Sequence, residues 1–177
     1  MKTILGLVGP LLVAVSATAQ EIPKPTITKE HEWLKQLEGE WITESEAVME
    51  PGKPPLKFKG TETVRSLGGL WYVAEMKTEM TGTAMMGQMT VGYDAEKKKY
   101  VGTWVCNMDP EMMTYEGTVD GKTISLVTEG KNPATGKRVK MKDVIEIKDK
   151  DHKVLKSYAQ GDDGKWTQFM TMTAKRK

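Results

Sequence analysis

From Glu40 to the C-terminus, apolar and polar side chains alternate with a period of two. In KRVKMKDVIEIK, Val139, Met141, Asp143, Ile145 and Ile147 fall on one side of the alternation, and their neighbours are mainly charged. Leu56, Phe58, Gly60, Glu62 and Val64 form a second such set, and Tyr100, Gly102, Trp104 and Cys106 a third. The closing KWTQFMTMTA gives Trp166, Gln168, Met170, Met172 and Ala174. Period two belongs to strands with one face in a core and the other in water. Turn signals break the pattern roughly every eight to twelve residues, among them Gly68-Gly69, Asp109-Pro110, Asp120-Gly121 and Asp163-Gly164. The pattern predicts ten strands, at 40–49, 56–66, 70–79, 86–93, 99–107, 111–119, 122–130, 137–148, 153–161 and 164–175. Their short connections favour pairing between sequence neighbours. A sandwich of two facing sheets would show the same alternation. Closure removes exposed strand edges, so the expectation is all-β, a single up-and-down antiparallel barrel.

Ahead of the strands, TKEHEWLKQLEG has helical spacing, with Thr28 as N-cap, Glu30 and Glu32 near the positive end and Gly39 as the stop. Trp33, Leu34 and Leu37 make one apolar stripe, which predicts a short N-terminal helix lying over one end of the barrel.

The first residues combine Lys2, an apolar run from Ile4 to Val15 and the small-residue pattern Ala17-Thr18-Ala19. That succession reads as a secretory signal peptide over 1–19, cleaved after Ala19, leaving a periplasmic or secreted protein. The apolar run is short for a bilayer span, so no membrane insertion is expected once the signal is removed. Residues 20–39 then hold the lead and the helix, and 40–177 the barrel, as one domain. The formal charge is only +2, and the basic runs lack interleaved aromatics, which argues against a nucleic-acid partner. Cys106 is the lone cysteine, so stability rests on packing rather than an internal disulfide. Nothing in the sequence fixes an oligomeric state.

Gly39-Glu40-Trp41, at the junction of helix and first strand, resembles the G-x-W signature of lipocalins and their calycin relatives. KPTITKEHEWLKQLEGEW, GTETVRSLGGLWYVAEM, GQMTVGYDAEKKKYVGTWV and DDGKWTQFMTMTAKRK together resemble the bacterial DUF1579 family over almost the whole mature chain. The resemblance implies a lipocalin/calycin-like barrel and carries no reaction with it. It also implies that Arg176 packs on Trp41, as a basic side chain at the end of the last strand does in lipocalins.

Histidine chemistry has little material, since His31 is expected on the polar side of the helix and His152 in an Asp-rich turn, both solvated. Zinc needs three or four ligands at suitable spacing, and haem a pocket-facing axial histidine, so no cofactor is expected. Cys106 has no nearby histidine or helix terminus to activate it and reads as core. Methionine is abundant, with Met80, Met85, Met86 and Met89 in one segment and Met141, Met170 and Met172 on later strands. Thioethers fill irregular apolar space and adapt to varied ligands; soft Cu(I) coordination is the alternative, without the regular short repeats such segments show.

Alternation places Trp104, Met141, Asp143, Gln168, Met170 and Met172 in the lumen, where they are expected to bind a small hydrophobic molecule, with Asp143 or Gln168 orienting any polar end. Asp143 and Glu62 are acids on apolar faces and must be paired or wet. They could instead serve an enzyme as general acid and base, with Tyr115 beside them. A packed core with no pocket, acting as a structural or interaction module, is the remaining reading.

Overall fold

The computed structural model describes residues 25–50 and 52–177. The signal peptide and cleavage site expected over residues 1–19 lie outside the described residues. Ten strands form one closed antiparallel barrel: β1 (Gly39–Ala47), β2 (Leu56–Leu67), β3 (Trp71–Met80), β4 (Thr83–Asp94), β5 (Lys99–Cys106), β6 (Asp109–Asp120), β7 (Thr123–Lys131), β8 (Arg138–Ile147), β9 (His152–Gln160) and β10 (Trp166–Arg176). Every strand pairs with its sequence neighbours, and β1 closes the ring on β10. No edge of this sheet is left open among the described residues, as expected from the advantage of closure over exposed strand edges.

Two turns differ from the sequence reading. Met80 pairs with Thr83, so β3 and β4 meet across Thr81-Gly82, and both turn residues have positive φ (51° and 81°). That backbone suits the twist of a two-residue hairpin. Cys106 pairs with Asp109, so the next turn is Asn107-Met108, and Asp109-Pro110 already belongs to β6.

The helix is shorter than predicted. Helix α1 (Lys29–Leu34) runs into a 3₁₀ turn at Lys35–Leu37. Leu34 and Leu37 are buried, and they close one end of the barrel above Tyr72, Val91, Ile124 and Leu126. Trp33 is only half-buried; its Nε1 donates to Gly121 O at 2.9 Å on the β6–β7 turn. Tyr100 OH donates to Glu30 O at 3.1 Å, a second tie between helix and barrel. His31 is a correction to the solvated reading: it is buried, 2.9 Å by Nδ1 from Thr28 Oγ1, with its ring edge-on to Tyr93. Capping draws the ring back over the first turn and against the barrel rim. His152 is the first residue of β9 rather than part of the turn, half-exposed and 2.9 Å from Asp149 Oδ1. Among the described residues no helix is long and apolar enough to cross a membrane.

Candidate functional site

The lumen is nearly filled beneath the helix and hollow toward the opposite end. A cavity of about 250 Å³ lies there, and seven of its nineteen lining residues are methionines. Met76, Met85 and Met89 come from β3 and β4, Met113 and Met141 from β6 and β8, and Met170 and Met172 from β10. Phe58, Trp104 and Phe169 complete most of the apolar wall. Two glycines make room for large side chains. A Cβ at Gly87 would overlap the Trp104 ring, and one at Gly130 would crowd the sulfurs of Met113 and Met141.

Trp104, Met141, Asp143, Met170 and Met172 all line this cavity; Gln168 does not. A β-bulge between Gln168 and Met170 inserts one residue into β10 and reverses the facing of everything before it. Phe169 therefore reaches the lumen. Gln168 is exposed and donates to Thr171 Oγ1 at 2.8 Å. Trp166 moves outward with it and meets Lys142 on the outer face, with Nζ 4.6 Å from the ring centroid. Lys153 and Ser157 were also missed, because HKVLKSYAQ has apolar residues on both faces and its alternation does not choose a side.

The polar groups of the lumen form two clusters. Deep in the barrel, Lys153 Nζ lies 2.5 Å from Glu62 Oε2, and both side chains are nearly inaccessible. The contact is an ion pair not aligned as a hydrogen bond, since Oε2 accepts none. The same ammonium sits 4.4 Å from the centroid of the Trp41 ring. Burial lowers the affinity of Lys153 for its proton, and Glu62 works against that shift. A small void of about 30 Å³, roughly the share of one water in the liquid, lies between this pair and Leu37.

The second cluster is Asp143 with Ser157 and Tyr115. Ser157 Oγ donates to Asp143 Oδ1 at 2.5 Å, and Tyr115 lines the same part of the cavity. Burial pushes the Asp143 carboxyl above its ordinary range, with the neighbouring Ser157 and Tyr115 side chains pulling less strongly downward. Burial, with the neighbouring acid, pushes Tyr115 up as well. Ser157 and Lys153 are four residues apart on β9, roughly 13 Å along a strand. Glu62 and Asp143 thus sit at different depths with different partners, which weakens the case for an acid–base pair acting on one atom.

The G-x-W segment has a packing role. Trp41 is 1% exposed, its Nε1 donates to Leu37 O at 3.0 Å, and the Arg176 guanidinium lies 4.2 Å from its ring centroid. Arg176 Nη1 also donates to Glu38 O at 2.5 Å. Gly39, at φ 123°, has no Cβ to collide with that guanidinium.

Comparison with known proteins agrees with the architecture. A family model described as "Protein of unknown function (DUF1579)" matches residues 26–176. Among solved structures, the chain is similar to Rv2717c from M. tuberculosis, with a TM-score of 0.61 and 13% identity, over 86% of this chain and 99% of that one. Similarity at that identity is one of fold. No curated protein matches the chain significantly.

Proposed function

The chain belongs to the DUF1579 family, and since that membership brings no reaction with it, we propose from the residues themselves that the protein is an exported, noncatalytic barrel holding a small, largely apolar molecule. The observation that carries this reading is the methionine-lined cavity of about 250 Å³. An apolar cavity of about 150 Å³ is enough to hold benzene. Methionines can repack around guests of different shape, which favours broad over stringent recognition. Support for export is the charged, apolar and small-residue succession of the first nineteen residues, and a mature N-terminus at Gln20 would follow from it.

The test is a titration with a fluorescent lipophilic probe. Binding should saturate at one probe per chain and weaken when Met170→Lys places a charge in the lumen. Lys140→Ala, on the exposed face of β8, should leave it unchanged. Both variants must first show the melting behaviour of a folded protein, because a buried lysine can act through global destabilisation. Equal affinities for the two folded variants would leave the packed-module reading in place.

A further inference from the structure

The charge inventory of the cavity points to a narrower ligand class, and this inference rests on the apolar-ligand reading. Four lining residues can ionise: Glu62, Lys153, Asp143 and Tyr115. Lys153 and Glu62 compensate each other at 2.5 Å, and the Trp41 ring covers the ammonium. Asp143 is the exception. It sits partly buried in the cavity wall, its carboxyl accepts from the neutral Ser157 hydroxyl at 2.5 Å, and no cation among the described residues pairs with it.

An acid in so apolar a wall is stabilised by holding its proton or by receiving a positive charge. A carboxylate-bearing guest would find the one lining cation already engaged and two acids facing it. An ammonium would find a carboxyl held by the Ser157 hydroxyl and two aromatic side chains, Tyr115 and Trp104, in the same wall. We propose that the ligand carries one cationic amine, seated on Asp143, on an apolar body of roughly ten non-hydrogen atoms, the size scaled from benzene in its smaller cavity.

Three isosteric probes separate the possibilities: octylammonium, 1-octanol and octanoate, each titrated calorimetrically at pH 7 against the full mature chain. Octylammonium should bind about tenfold tighter than octanol, as expected for a charge-assisted hydrogen bond, and octanoate weakest. Asp143→Asn should remove the gap, so that the variant binds octylammonium no tighter than it binds octanol. The wild-type series alone is decisive if that variant does not fold. Octanol binding as tightly as octylammonium, or a tenfold gap that survives Asp143→Asn, overturns the amine while the apolar-ligand reading stands. Failure of all three probes to bind saturably overturns both.

Discussion

Two buried charged sites set the energetics at the scale of single residues. Lys153 neutralises Glu62 in a place where both side chains are nearly inaccessible. Removing one partner of a buried pair strands the other, at a typical cost of about 3–5 kcal/mol. Lys153→Met should therefore be strongly destabilising, and adding Glu62→Gln should restore most of the loss; chemical denaturation of the single and double variants measures it. Additive losses would mean the pair is not coupled. Asp143 makes a different prediction. Its folded pKa lies above the ordinary 3.8 because of burial, so the folded state holds the proton more tightly than the unfolded one. The associated stability is fully present below the unfolded value and is lost as pH rises through the raised folded value. Between about pH 4 and neutrality, wild-type Tm should fall relative to that of Asp143→Asn, which cannot ionise. Parallel Tm profiles would contradict this account of Asp143. That acid was legible in the sequence because it interrupts Val139, Met141, Ile145 and Ile147. Lys153 was not, because Val154 and Tyr158 make the opposite face of β9 equally apolar.

At the scale of elements, the strands were legible because alternation persists through nearly every one, their neighbour pairing followed from short connections, and closure followed from the liability of exposed edges. The bulge in β10 was not. An inserted residue changes facing without changing composition, and WTQFMTM offers apolar residues on both of its alternating faces. Gln168 was misplaced and Phe169 overlooked for that one reason. Thr81-Gly82 escaped notice because it lacks the Asn or Asp that marks the commonest two-residue hairpins. The junction of the 3₁₀ turn with β1 gives the sharpest test at this scale. Gly39→Ala forces a side chain into φ 123° and into the Arg176 guanidinium. Backbone strain of this kind costs about 1–3 kcal/mol. The variant should lose at least that much stability, and Trp41 fluorescence should shift as Arg176 is displaced. Arg176→Ala in the same chain should recover the steric part of the loss and leave the backbone part.

The whole molecule is a ring of strands stoppered at one end and hollow toward the other. Leu34 and Leu37 seal the helix end, so the unfilled volume collects where the methionines are. Outside the barrel, Met86, Met108 and Met112 are more than half exposed, at 53%, 55% and 58%. Methionine thus occurs both in the proposed chamber and on the opposite surface of the same wall, which makes its methyl groups reporters of where a guest goes. The most direct test of the chamber is a titration of ¹³C-methyl-methionine protein with octylammonium or octanol, followed by NMR. The account predicts saturable shifts of Met76, Met85, Met89, Met113, Met141, Met170 and Met172, with Met86, Met108 and Met112 unmoved. Shifts confined to Met86, Met108 and Met112, or an unperturbed spectrum at saturating probe, would contradict it.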